Sequence, residues 1–321
     1  MRSRSLSFET PLIELSQHLA QFKAFAENYP ELDLTKSIQA LEENLVDLTK
    51  GAFQNLTRWD KIWLARHEQR PQAPVYIKAL FDNPIELRGD KLHDDDRSLI
   101  GGFTWFEGQP IVYLAQQKGM NFKERQEMNF GYTHPEGYRK ARRLMKLAEK
   151  FDRPLICLVD SPSAHFDRRS EEQGQAMAIA ENLAQMATLR VPILVVLIGE
   201  AASGGAIAIA VGDRLLMMEH AFYCVATPEA CSGIVWKDQG EHASEAAEAL
   251  KPTAEDLVQL GVIDEIIPEP LGGAHRDVEL ATQHVKDAIR THLKELMQID
   301  REKLVQQRYE RYRKIGIYGE A

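Results

Sequence analysis

Residues 191–206 read Val191-Pro192-Ile193-Leu194-Val195-Val196-Leu197-Ile198-Gly199-Glu200-Ala201-Ala202-Ser203-Gly204-Gly205-Ala206. From 191 to 199 the run is apolar without polar alternation, the pattern of a central strand covered on both faces in a parallel sheet. The glycines that follow, with 207–211 read as a helix, make a strand-to-helix turn. Glycines there let the free amides at a helix start approach a ligand with no Cβ in the way. Backed by the helix dipole, such amides stabilise an oxyanion. A tight turn whose glycines serve close packing explains the same spacing, so spacing alone leaves both readings open.

Working outward, strand-like runs recur at 110–114, 154–159, 214–218 and 222–226. Helical stretches lie between them. One, 135–151, carries Tyr138, Ala141, Met145, Ala148 and Phe151 on a stripe, and another, 171–189, is rich in Ala and Met. This alternation predicts α/β layers. The stretch Asp160-Ser161-Pro162-Ser163-Ala164-His165-Phe166-Asp167 follows its strand as the glycine turn follows 191–198, so the two are expected side by side at the carboxyl edge of the sheet. His165 invites a general-base reading, but no nucleophile stands beside it. Before this core, Leu12, Leu15, Leu19 and Phe22, then Ile38, Leu41, Leu45 and Leu48, predict a helical hairpin whose seam packs on itself or on a partner. After it, 278–299 reads as a helix leading into a charged tail with Arg308, Arg311, Arg313 and Lys314, expected to be a solvated helix.

The 321 residues are 44% hydrophobic and 27% charged, the composition of a soluble globular protein. A net charge of −9 leaves no basic surplus for a primary role in nucleic-acid binding. No apolar run approaches the roughly 20 residues needed to span a bilayer, and 1–9 has no apolar signal core, so a cytoplasmic, non-membrane protein is expected. Cys157, Cys224 and Cys231 form no C-x-x-C pair, which excludes a disulfide framework or zinc ribbon from this chain alone. No metal site is assigned.

Ser203 resembles the nucleophile turn of the proteolytic subunit of Clp protease. That family places its histidine near the end of the next long strand, where this chain reads Ala226-Thr227-Pro228-Glu229. His220 lies in the turn before that strand. A serine without a base is a poor nucleophile.

Several strings together resemble one family, the alpha subunit of the carboxyltransferase of bacterial acetyl-CoA carboxylase. They are Leu64-Ala65-Arg66-His67 with Gln69-Arg70-Pro71, Gly89-Asp90, Asp95-Asp96, Gly101-Gly102, Gln117-Lys118-Gly119, Asn129-Phe130-Gly131 and Pro135-Glu136-Gly137-Tyr138-Arg139-Lys140-Ala141. Ile267-Pro268-Glu269-Pro270-Leu271-Gly272-Gly273-Ala274-His275-Arg276 and Ser203-Gly204-Gly205-Ala206 complete the set. The resemblance implies a crotonase-like α/β fold of repeated strand–strand–helix units. It divides the chain into a helical extension (1–90), a carboxyltransferase core (91–276) and a C-terminal helical segment (277–321).

It also implies transfer of a carboxyl group from carboxybiotin, borne on the biotin carboxyl carrier protein, to acetyl-CoA, giving malonyl-CoA for fatty acid synthesis. The expected partners are a beta subunit in an alpha2beta2 assembly, the carrier protein and biotin carboxylase. No biotin is bound covalently by this chain, and zinc is expected only in the beta subunit. By resemblance, the amides of Gly204 and Gly205 hold the biotin-side oxyanion, and Lys118, Gly119, Ser163, Ala164, Arg139 and Lys140 contact substrate. Such a reaction needs preorganised N–H donors more than a side-chain nucleophile.

The chain departs from the family pattern at three places. The usual G-E-G-G-S-G-G-A carries Ala201 and Ala202, and the usual D-T-P-G-A-Y-P-G has become 160–167, with Ser163, His165 and Asp167 replacing Gly, Tyr and Gly. Met120-Asn121-Phe122 stands for R-E-T. These changes are expected to reshape the rim of the biotin edge with the donors kept. A carboxyltransferase subunit for another acyl-CoA, or a weakened assembly or regulatory homologue, are the alternatives.

Overall fold

In the computed structural model, which describes residue 6 and residues 8–316, the strand Ile193–Ala202 is buried along its whole length. It is β5 of a sheet that also contains β1 (Asp82–Glu86), β2 (Leu99–Phe106), β3 (Gln109–Gln116), β4 (Leu155–Ser161), β6 (Arg214–Met218), β7 (Phe222–Cys224) and β8 (Glu265–Ile267). The order is β1-β2-β3-β4-β5-β6-β8, with β7 pairing the far end of β5. The first three strands are antiparallel neighbours, and every pairing from β3 onward is parallel. β4 is likewise buried throughout, so the uninterrupted apolar runs mark strands covered on both faces.

The sheet edge at β1 and β2 did not announce itself in the sequence. Gly101 and Gly102 depress strand propensity, yet both lie in β2. A Cβ on Gly102 would come within 1.8 Å of the Ile85 carbonyl oxygen, and one on Gly101 within 2.6 Å of the Tyr113 carbonyl oxygen. Glycine is required there by backbone approach.

Pro135–Lys150 forms a helix on the predicted stripe, with Tyr138, Ala141, Met145 and Ala148 buried. The expected helix over 171–189 is two helices, Arg168–Glu172 and Gln175–Thr188, broken at Gly174 with φ 79°. The expected helix over 207–211 instead starts at Ser203 and ends at Ile207. The N-terminal hairpin comprises Thr10–Asn28 and Thr35–Gln54. Leu12 and Leu19 are buried, whereas on the second helix Ile38, Leu41 and Leu45 are half-buried and Leu48 is exposed.

The tail also differs from expectation. Arg308, on the helix Arg301–Arg313, is buried, not solvated. Its guanidinium forks onto Asp213 at 2.8 Å through both Nε and Nη2, and donates to the carbonyls of Met186, Leu189 and Val191. Helical periodicity cannot reveal that a charged side chain will meet acceptors 95 to 122 residues away.

Candidate functional site

The carboxyl ends of β3, β4 and β5 meet at the glycine turn. Ser203 sits at φ 59°, in the left-handed region, and turns the chain sharply from β5 into the helix. Gly205 is buried against the loop after β4: a Cβ there would fall 2.2 Å from the carbonyl carbon of Ser163 and 2.5 Å from the amide nitrogen of Ala164. Gly204 is half-buried, and its Cβ position lies 3.3 Å from Ile179 Cδ1, the nearest atom. The two glycines therefore differ. Gly205 locks two loops together through backbone, while Gly204 faces only the end of the Ile179 side chain.

The turn is fixed from below. Gln116 Nε2 donates to the Gly205 carbonyl at 2.8 Å, and Ser161 Oγ donates to the Gly131 carbonyl at 2.8 Å. The first amides of a helix have no intrahelical acceptor, so those of Ser203, Gly204 and Gly205 lack a partner within their own helix. Among the described residues, Ser203 Oγ makes no hydrogen bond. His220 packs on Phe53, with its amide on Glu269, so it serves no nucleophile here.

Beside the turn lies a chain of buried charges. Lys118 Nζ is 2.7 Å from Asp160 Oδ1 and 2.9 Å from Glu200 Oε2. Arg66 reaches Glu200 at 2.7 Å and Glu229 at 2.6 Å, and the Glu200 amide donates to Asp160 at 2.9 Å. Burial raises the Asp160 carboxyl against the pull of Lys118. Burial also opposes ionisation of Glu200, but Lys118 and Arg66 outweigh it and hold this carboxyl below its ordinary value. Lys118, Arg66, Asp160 and Glu200, with His67 and Arg70, line a cavity of about 160 Å³.

The structure brings Gly204, Gly205, Ser163 and Ala164 together, with Lys118 and Gly119 on the adjoining loop. Gly119 is at φ 87°, and its carbonyl is held by Gln72 Nε2 at 3.0 Å. Lys118, expected from the resemblance to contact substrate, has its ammonium engaged by two internal carboxylates. Arg139 and Lys140, expected likewise to contact substrate, are also engaged internally. Arg139 pairs with Asp90 at 2.8 Å and donates to the Gln173 carbonyl, while Lys140 is fully buried on Asp95 and the Asp96 carbonyl. Both pin the 90–97 loop to the helix.

Ala201 and Ala202 are also corrected. Both are fully buried, paired through β5 to Tyr223 and Cys224 of β7, so their methyls fill core and not an open rim. Of the altered positions, Ser163, His165, Asp167, Met120, Asn121 and Phe122 do reach the surface. Sequence reasoning did not single out Asp160, Glu200, Arg66 and Glu229 as a network. Their spacing carries no local signal, although Arg66 stands in one of the quoted strings.

Comparison with known proteins bears on this arrangement. A family profile described as acetyl co-enzyme A carboxylase carboxyltransferase-like matches residues 5–316. The acetyl-coenzyme A carboxylase carboxyl transferase subunit alpha of Geobacillus sp. (strain WCH70) is 46% identical over 98% of this chain and 96% of its own length. That of Listeria welshimeri is 43% identical over 98% and 99%. Among solved structures, a Pseudomonas malonate decarboxylase hetero-tetramer in complex with coenzyme A superposes with a TM-score of 0.58 at 20% identity, covering 73% of this chain and 90% of that one. Transcarboxylase 12S gives 0.53 at 18% identity, covering 69% and 41%. These likenesses establish the fold, which is crotonase-like.

Proposed function

The chain belongs to the family of acetyl-CoA carboxylase carboxyl transferase alpha subunits, and on that premise we propose that it transfers a carboxyl group from carboxybiotin to acetyl-CoA, giving malonyl-CoA, as one half of a composite enzyme. The observation that carries the site assignment is the turn at Gly204, half-buried with only the Ile179 side chain beside it, and with amides that have no intrahelical acceptor. The carrier-bound biotin supplies the transferable carboxyl group. The amides of Gly204 and Gly205 donate to the oxygen that gains negative charge as the carboxyl departs, a task for which preorganised donors suffice. Gln116, Ser163 and Ala164 hold those amides in place. Lys118, through Asp160 and Glu200, stiffens the wall of the turn and does not itself contact substrate.

The second half of the site is assigned to a beta subunit, in an alpha2beta2 assembly served by the biotin carboxyl carrier protein and biotin carboxylase in the cytoplasm. We retain the division into 1–90, 91–276 and 277–321, with the first segment as an interaction element. Its support is the second helix of the hairpin, whose stripe is only half-buried and ends on the exposed Leu48. Among the described residues no helix is long and apolar enough to cross a membrane.

Malonyl-CoA formation by the purified chain, with and without its cognate beta subunit, tests this reading. Activity should be negligible alone and should appear on reconstitution. Full activity of the isolated chain would overturn it.

A further inference from the structure

We infer that Arg125 binds the transferable carboxylate group, an assignment that rests on the proposed function and adds to it the residue that reads the charge. Arg125 lies on the short helix Phe122–Glu127 and lines the cavity beside the glycine turn, together with Phe130. Four cations face that cavity: Arg66, Arg70, Lys118 and Arg125. Three are occupied. Lys118 is held by Asp160 and Glu200, and Arg66 by Glu200 and Glu229. Arg70 forks onto Glu269 at 2.6 and 3.0 Å and donates through Nε to the Ile198 carbonyl at 2.9 Å.

Arg125 is the exception. Its Nε donates to the Gly119 carbonyl at 3.2 Å, and among the described residues neither Nη group has an acceptor. The acids near it in sequence are taken. Glu124 accepts from the Met120 amide at 2.8 Å and from Asn121 Nδ2 at 2.7 Å, and Glu127 pairs with Arg97 at 2.9 Å. The two carboxylates on the cavity wall, Asp160 and Glu200, already share Lys118, so Arg125 is the charge left over. A half-buried guanidinium with both Nη groups free is a fork for a planar carboxylate.

Backbone geometry fixes this wall. Gly119 is at φ 87°, and a Cβ there would fall 2.5 Å from the Arg125 amide nitrogen, so the loop after β3 closes directly on the helix. Beyond the helix, Asn129 and Phe130 both occupy the left-handed region, at φ 49° and 53°. Such conformations cost energy in residues other than glycine, and they gather at ligand clamps. Here they set Phe130 on the cavity wall, edge-on to Phe122 with ring centroids 6.2 Å apart. A Cβ on Gly131 would lie 3.1 Å from Pro162 Cδ, one residue before the Ser163 that meets Gly205. The wall bearing Arg125 and Phe130 therefore adjoins the oxyanion turn.

Size selects the ligand. About 160 Å³ is below the roughly 300–1,000 Å³ of pockets that enclose a whole small molecule, so the cavity admits a carboxylate-sized anion and not the nucleotide of coenzyme A. In the proposed reaction carboxybiotin and malonyl-CoA carry such a group, whereas biotin and acetyl-CoA do not.

Kinetics of the reconstituted complex in both directions test the assignment, with the parent, Arg125→Met and Arg125→Lys. In Arg125→Met the KM for malonyl-CoA, for the carboxylated carrier protein, or for both should rise about tenfold to a hundredfold, the cost of losing charge-assisted hydrogen bonds. The KM values for acetyl-CoA and free biotin should stay at those of the parent. A rise with malonyl-CoA alone places the product's carboxylate on Arg125, and a rise with the carrier alone places the donor's. Arg125→Lys keeps the charge without the fork, should recover only part of the loss, and carries the test if Arg125→Met folds poorly. In an active complex, unchanged KM values for both carboxylated substrates, or an equal rise for acetyl-CoA, would overturn the assignment. An inactive parent complex would overturn the proposed function and this assignment with it.

Discussion

A β-carbon on Gly205 would sit 2.2 Å from the carbonyl carbon of Ser163, so the loop after β4 and the turn after β5 are in backbone contact at that point. This is the tightest constraint in the turn, and it separates two glycines that look equivalent in sequence.

Gly205→Ala should therefore damage folding as well as catalysis, since backbone and not a flexible side chain must give way. Gly204→Val should fold but lose most carboxyl transfer, on the order of 10²–10³ in rate if one oxyanion donor is effectively blocked. Ser203→Ala should keep a substantial fraction, because its hydroxyl has no partner among the described residues. Thermal melts with turnover of the reconstituted complex check all three, and a dead Ser203→Ala beside an active Gly204→Val would reverse the assignment.

Lys118→Met should destabilise the chain by about 3–5 kcal/mol, because Asp160 and Glu200 would be left buried without their shared cation. Were Lys118 instead a coenzyme A phosphate ligand, the variant would keep its stability and raise only the KM for acetyl-CoA. Urea unfolding and a KM-against-kcat comparison distinguish the two.

Acid should expose the Arg70–Glu269 pair. Burial opposes ionisation of Glu269, but Arg70, 2.6 Å away, prevails and brings the carboxyl from 4.5 down to about 2. A depressed carboxylate contributes stability above its unfolded value and loses it as pH falls through the folded one. The contribution is about 3 kcal/mol, complete above about pH 4.5 and lost towards pH 2. Unfolding free energies of the parent across this range should fall more steeply than those of Glu269→Gln.

The altered loops should separate into two classes. Ala201→Gly with Ala202→Gly should cost about 0.5–1 kcal/mol per position and leave the ligand response unchanged, since these methyls lie in the core. Ser163→Gly with Asp167→Gly should change the response to biotin-edge competitors while shifting turnover less than roughly tenfold. Competitor titration on each reconstituted double variant reads both effects, and a shifted response in the alanine pair would contradict the burial argument.

The amino-acid sequence by itself determined the central strands, the turn between them and the family. The 214–218 strand was legible to the residue, 110–114 fell inside β3, and 154–159 overlapped β4 from Leu155 onward, because an unbroken apolar run has few other ways to be buried. The quoted strings carried the resemblance whatever their place in space. Tertiary structure alone decided where the charges went. Arg308, Lys140 and Lys118 look like solvent-facing cations in sequence, yet their acceptors lie 95, 45 and 82 residues away at Asp213, Asp95 and Glu200. It also decided that Ala201 and Ala202 face the core, that Gly102 sits against Ile85, and that His134 stacks on His165. Periodicity is a local property written along the chain, whereas ion pairing, close backbone approach and ring stacking depend on which distant segments the sheet brings into register.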